Sequence, residues 1–130
     1  MDKSLKNRIE QSETRIFKAV FPNTTNHYDT LFGGTALQLM DEVSFICATR
    51  FSRKKVVTVS TDKIDFGKPI PQGTLVELIA RIVKVGNTSC KVQVDIYMEK
   101  MYQESREKVV SGTFTFVAIG DDLQPVSITD

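Results

Sequence analysis

Hydrophobic positions along this chain follow two different periods, and the places where the period changes mark its elements. From Thr88 to Met98, Cys90, Val92, Val94, Ile96 and Met98 alternate with Ser89, Lys91, Gln93, Asp95 and Tyr97. That alternation predicts an antiparallel strand with one buried face. Lys55–Phe66 and Thr74–Val85 are rich in β-branched residues, with Pro69, Pro71 and Gly73 punctuating the turn between them, so both are predicted strands. Gly86 and Asn87 make a tight turn into Thr88. Val109–Ile119 carries Phe114 and Phe116 on one face, and Thr14–Phe21 mixes β-branched and aromatic residues with basic ones before Pro22 ends it.

The segment from Gly34 to about Arg50, GTALQLMDEVSFICATR, contains no proline and many good helix formers, which predicts one long helix. Its apolar residues Ala36, Leu37, Leu39, Met40, Val43, Ile46, Cys47 and Ala48 cover well over half of the circumference. A helix lying on a surface shows a narrower stripe, so this one is expected to be mostly enclosed. A single apolar helix beside one sheet is enclosed only if the sheet wraps it. The expected architecture is therefore α+β, with an antiparallel sheet around a central helix and the last four strands in meander-like succession. Residues 1–130 are read as one domain. Residues 1–11, polar and without a clear period, read as a frayed start or a short helix, and 120–130 as an exposed tail; both are taken as peripheral.

Composition narrows the picture by exclusion. Seventeen Lys and Arg against sixteen Asp and Glu give a net charge of +1, so no overall field favours nucleic acid or an anionic membrane, and neither is expected as a partner. The first twenty residues carry charges throughout and lack the apolar region of a secretory leader, and no apolar run approaches the about 18 residues of a membrane span. Cys47 and Cys90 lie in apolar patterns without a C-x-x-C partner, which fits buried thiols in a reduced, cytoplasmic setting. With one histidine, His27, a metal site built on two or three histidines is excluded and no metal is expected. No G-x-G-x-x-G, phosphate-loop or G-x-S-x-G motif occurs, which removes the common nucleotide-binding and serine-hydrolase readings.

Asp41 is the most informative candidate for chemistry, because it stands mid-helix beside Leu37, Phe45 and Ala48. Either it borders a solvated stripe made by Thr35, Gln38, Glu42 and Thr49, or it works as a general base or nucleophile in an enclosed site. Glu42 points about 100° away into the polar stripe. Gly33 and Gly34 precede the helix, where free N–H groups and the positive dipole end would face a carbonyl oxygen, although a GG pair also serves as a plain helix-start turn. The loop PNTTNHYDTLFGG has the Asn, Thr and Gly content of a segment held by side-chain to backbone bonds. In it Asn26 could hold a water or a carbonyl, or simply form an Asx turn, and His27 reads as a loop or ligand-rim residue. Arg50, Arg53, Lys54 and Lys55 cluster after the helix, where they could meet phosphates or complement the helix dipole.

Taken together, N-H-Y-D-T-L-F-G-G-T-A-L-Q-L-M-D-E-V from Asn26 to Val43, followed by V-V-T-V-S-T-D-K-I-D-F-G-K-P-I-P-Q-G and the terminal T-F-T-F-V-A, closely resembles the hotdog-fold acyl-CoA hydrolases. These comprise the bacterial short-chain and broad-range acyl-CoA thioesterases and the brain-type acyl-CoA hydrolases, and the likeness extends from about Thr14 to Ile119. It implies a hotdog fold and hydrolysis of acyl-CoA, with no cofactor beyond the coenzyme A of the substrate. It implies further that Asp41 is catalytic and that Asn26 contributes from a partner subunit; with the helix-start reading of Gly33 and Gly34, the carbonyl is expected to lie against that pair. Val59, Ser60, Thr61 and Asp62, and the turn Gly86, Asn87, Thr88 and Ser89, would line the coenzyme A channel; on residue chemistry rather than likeness, His27, Arg53, Lys54 and Lys55 are candidate further contacts to the substrate. Paired hotdogs, often three pairs together in a hexamer, and a role in fatty acid metabolism are also implied.

Two rivals stay open at this point. A hotdog dehydratase wants a His and an acid around an H-F-P-type motif, which His27-Tyr28-Asp29 does not supply, and a noncatalytic coenzyme A sensor would release no thiol.

Overall fold

The computed structural model describes residues 3–31 and 33–130. Met1 and Asp2 of the leading segment, and Phe32 of the glycine-containing loop, lie outside the described residues. The chain runs through α1 (Lys3–Ser12), β1 (Thr14–Ala19), a 3-10 turn (Pro22–Thr24), α2 (Gly33–Ser52), β2 (Lys55–Phe66), β3 (Thr74–Val85), β4 (Ser89–Lys100) and β5 (Glu107–Ile119). The bounds of β2 and β3 are those that the sequence predicts. α2 starts one residue earlier than predicted and runs two residues beyond Arg50. The polar leading segment forms a helix, and its Leu5 and Ile9 pack against the core.

All five strands form one antiparallel sheet in the order β1-β3-β4-β5-β2. Only β3, β4 and β5 form a meander, so the expected meander of four strands is corrected. β2 pairs with the far side of β5 instead of with β3. The reason lies in the connection of residues 67–73, where Pro69 and Pro71 favour extended backbone over a tight hairpin. Gly67 N–H donates to Val109 O at 2.8 Å and Leu31 N–H to Ile70 O at 2.6 Å, which leads the link across the end of the sheet with Ile70 buried.

α2 lies across the concave face of this sheet and contacts all five strands. Met40, Val43, Cys47, Ala48 and Phe51 are buried against Leu78, Val92, Val94, Ile96, Phe114 and Phe116. A sheet wrapped around one long helix is the hotdog fold. The enclosure expected for α2 is nonetheless incomplete within one chain. Five strands cover one side of the helix, whereas Leu37 is 37% exposed and Phe45 45% exposed on the other.

The tail departs further from expectation. Val126 N–H donates to Ala118 O and Ile128 N–H to Asn87 O, each at 2.9 Å, and Ile128 is fully buried. Residues 121–125 are exposed as expected, but the segment is anchored rather than free, because Ile128 is buried beside the β3–β4 turn.

Both cysteines are free and buried. Burial pushes the Cys47 thiol up to about 11 and the Cys90 thiol up to about 12, since a thiolate without water is costly. Reagents that attack thiolates are thus expected to leave the native protein unmodified at pH 8 and to find both thiols after unfolding. Fast labelling of the native protein would contradict this burial. Raised thiol values stabilise the fold below the ordinary value of 9.0, and that contribution is lost as pH climbs toward 11 and 12.

Candidate active site

Asp41 projects from the open side of α2, flanked one turn away on either side by Leu37 and Phe45. Its carboxylate Oδ1 accepts a hydrogen bond of 2.9 Å from the Thr58 hydroxyl on β2. Thr58 reaches the helix because Val56, two positions earlier, is buried, and strand alternation puts both on the inner face. Within one chain Asp41 is exposed. It is therefore a tethered carboxylate on a partly apolar, uncovered surface, and the solvated-stripe and catalytic readings both remain compatible with its position.

Thr58 is the residue that the sequence reading missed. The available signal was a threonine at an inward position of a strand whose preceding inward residue, Val56, is apolar. Such a hydroxyl needs a partner if it is ever covered.

Asn26 forms the Asx turn expected as one of its two readings. Its Oδ1 accepts from Tyr28 N–H at 2.9 Å, Thr30 N–H at 3.3 Å and the Thr30 hydroxyl at 3.1 Å. These bonds fix the amide plane and commit the oxygen, so the NH2 edge is the one suited to a ligand. An isolated Thr25–Leu31 bridge closes the loop just ahead of α2. His27 is exposed and its ring lies 3.9 Å from that of Tyr28, centroid to centroid.

Gly33 begins α2 and lines a cavity of about 280 Å³ whose other walls are mostly apolar, among them Leu31, Ala36, Phe66 and Val110, with Lys68 as a charged member. A Cβ at Gly33 would meet nothing within 4 Å, so the helix start is open to an approaching group. Gly34 follows it in the first turn, where backbone N–H groups lack partners within the helix.

Val59, Ser60, Thr61 and Asp62 occupy the exposed edge strand β2, with a register irregularity between Thr58 and Ser60. The turn Gly86–Ser89 closes with Gly86 N–H donating to Ser89 O at 2.8 Å, and Thr88 O accepts from Ala118 N–H at 2.9 Å. It lies toward the Lys55 end of β2, since Ser89 pairs with Val117 and Val117 with Val57.

The basic cluster divides. Arg50 donates to Gln11 O at 2.8 Å, Glu13 O at 2.9 Å and Thr14 Oγ1 at 2.9 Å, where it caps the end of α1. Lys54 is tied to Ser127 O, and Lys55 pairs with Asp121 at 3.2 Å. Arg53 is exposed, with a φ of 56°. Arg50 thus ties the α1–β1 junction, and Lys54 the segment around Ser127, to the end of α2. Among the described residues no group of three or more His, Cys, Asp or Glu is placed to hold a metal ion, and no helix is long and apolar enough to cross a membrane.

Comparison with known proteins places this arrangement in context. Residues 28–105 match the thioesterase superfamily. An uncharacterized acyl-CoA thioester hydrolase of Zymomonas mobilis is 36% identical over 116 residues, covering 89% of this chain and 78% of that protein. An acyl-CoA hydrolase of Staphylococcus aureus, solved with butyryl coenzyme A, coenzyme A and coenzyme A disulfide, superposes with a TM-score of 0.89 at 33% identity, over 93% of this chain and 74% of that one. Further structures of that enzyme carry alanine in place of one aspartate, one threonine or one asparagine. A hexameric thioesterase of Yersinia pestis gives a TM-score of 0.81 at 30% identity, over 88% of this chain and 93% of that one.

Proposed function

This chain belongs to the thioesterase superfamily, and on that premise we propose that it hydrolyses acyl-CoA to coenzyme A and a carboxylic acid at sites shared between two subunits. The observation that carries the reading is Asp41, held by Thr58 at 2.9 Å on the uncovered side of α2. The three positions altered in the Staphylococcus aureus structures have the same spacing along the chain as Asn26, Asp41 and Thr58 here, which supports assigning all three to one site.

In the proposed reaction the thioester carbonyl lies against the Gly33–Gly34 start of α2, with the Asn26 NH2 beside it. N–H groups and the helix dipole favour the negative charge that develops on the carbonyl oxygen. Asp41 either takes a proton from water as the water oxygen bonds to the carbonyl carbon, or attacks that carbon first to give an anhydride that water opens. In both routes the carbon–sulfur bond breaks and the sulfur leaves as the thiolate, which takes the proton held by Asp41 in the first route and takes one from solvent in the second.

One subunit does not suffice for this. Gly34 and Asp41 are seven residues apart on α2, a separation of about 10 Å along the axis, whereas reacting groups must approach to about 3–3.5 Å. A two-fold axis beside α2 would bring Asp41 of a second copy to the carbonyl and repeat the site at the other end. Two features favour pairing there. Leu37 and Phe45 flank Asp41 as exposed apolar residues, and β2 is an edge strand with Val57 41% and Val59 53% exposed, the kind of edge that a second strand completes. Three such pairs would give a hexamer. Val59–Asp62, Gly86–Ser89 and the exposed Arg53 are proposed to border the coenzyme A channel, in a cytoplasmic enzyme of fatty acid metabolism that needs no metal or other cofactor.

Thiol release from a series of acyl-CoA substrates, followed with a thiol reagent, tests the activity itself. Absence of release across the series would leave the sensor reading in place. Thr58→Val keeps the shape of the side chain and removes the bond to Asp41. A hydrogen bond to a charged group contributes about 1.5–3 kcal/mol, so kcat is expected to fall roughly 10- to 100-fold with KM little changed. An unaltered kcat would mean that the Thr58 bond does not hold Asp41 for the reaction.

A further inference from the structure

The cavity at the start of α2 has Ala36, Phe66 and Val110 among its walls, and we propose that a bulge in β2 just beyond those residues closes its inner end and so sets the length of acyl chain the protein accepts. The inference rests on the thioesterase reading and adds to it the residues that bound the substrate.

Three walls of the cavity lead inward to one point. Ala36 is followed one helical turn deeper by Met40, Val110 is followed on the same face of β5 by Gly112, and Phe66 is preceded on β2 by Ile64. These three deeper residues meet. A Cβ added to Gly112 would lie 2.2 Å from Ile64 Cδ1 and 3.2 Å from Met40 Cε, so both side chains occupy the space that the glycine leaves. Met40 is completely buried and Ile64 half-buried. They do not line the open part of the cavity; in this proposal they are the apolar end wall for a chain that runs inward from it.

Ile64 takes part because β2 is irregular there. Asp62 pairs with Thr113 and Asp65 with Ser111, so Lys63 and Ile64 both stand opposite the single residue Gly112. Lys63 has a φ of 55°, in the left-handed region that bulges use, and a bulge re-aims the side chains beside it. Without the extra residue the inward and outward positions of this part of β2 would exchange. Sequence, bulge and end wall are thus linked through Lys63, Ile64 and Gly112.

A thioester carbonyl at Gly33 sends its alkyl chain past Ala36 toward this wall. Seven residues of helix separate Gly33 from Met40, about 10 Å, and the Met40 side chain leans back toward the start of the helix. An extended chain of tetrahedral atoms advances about 1.2 Å per bond, from 3.3–3.6 Å per three-bond residue. The chain therefore meets the wall at roughly six to eight carbons. Up to that length each buried methylene improves kcat/KM by about fourfold, and beyond it the gain stops.

The test compares kcat/KM for straight-chain acyl-CoA from two to fourteen carbons on the wild-type protein and three variants. The wild-type profile is expected to climb and break at roughly six to eight carbons. Ile64→Ala opens the wall and should move the break outward by about two carbons, raising the ratio of twelve-carbon to six-carbon activity by roughly tenfold. Ala36→Leu fills the cavity ahead of the wall and should move the break inward, and Ile64→Val should shift the profile in the same direction as Ile64→Ala by less. Profiles parallel to the wild type in Ile64→Val and Ala36→Leu would overturn the proposal while leaving thioesterase activity intact. A wild-type protein that releases no thiol from any of these substrates would overturn the functional reading and this inference with it.

Discussion

Asp41→Asn is expected to abolish thiol release while the fold and the binding of coenzyme A survive. The amide matches the carboxylate in shape and can still accept the Thr58 hydroxyl, so the 2.9 Å contact has a replacement. It carries no charge and has no useful basicity, and it can neither take a proton from water nor attack a carbonyl. General acid–base catalysis contributes typically about 10²–10⁴-fold, which sets the scale of the loss in kcat. Asp41 is exposed in the single chain, so the change should cost the fold within about 0.5 kcal/mol. Loss of turnover with an unchanged melting temperature is the expected pair of results. Turnover within a few-fold of wild type would assign Asp41 to the edge of a solvated stripe.

The ends of β2 and β3 were the most legible part of the fold, whereas β1 stops at Ala19 short of Phe21, β4 runs on to Lys100 and β5 begins at Glu107; the reasons are local. Pro69, Pro71 and Gly73 bound β2 and β3, and the strict alternation of β4 matches its buried Cys90, Val92, Val94 and Ile96. Pairing was not legible, because alternation specifies which face of a strand is buried and leaves its neighbour open. β2 consequently lies beside β5 on the far edge from β1. The polar tail also misled, since one buried side chain, Ile128, anchors it and a single apolar residue produces no period.

The candidate site was legible to the extent that its residues fall close together in sequence. Asn26, Gly33, Gly34 and Asp41 all lie on the loop and helix that carry the resemblance. Thr58 comes from a strand later in the chain and reaches Asp41 only through tertiary packing. The helix wheel of α2 measured something real that a single chain does not satisfy. Its apolar surface is wider than the sheet covers, which leaves Leu37 and Phe45 exposed around Asp41. Read as enclosure by its own sheet, that width overstates the fold; as a surface covered by a second copy, it accounts for both the pattern and the exposure.

The central claim, that each active site takes residues from two subunits, is tested most directly by complementation between Asp41→Ala and Asn26→Ala. Each variant must first be shown to be folded and inactive alone. Coexpression, or unfolding and refolding together, then produces mixed dimers. In such a dimer one subunit supplies the intact Asn26 and the other the intact Asp41, which restores one site of two and leaves the other doubly damaged. Random pairing makes about half of all dimers mixed, so roughly one quarter of wild-type activity should return. Thiol release at about that level, rising and falling with the fraction of mixed dimers, is the result this account predicts. Mixed dimers that are shown to form and that release no thiol would contradict it, because Asn26 and Asp41 would then have to act within one subunit.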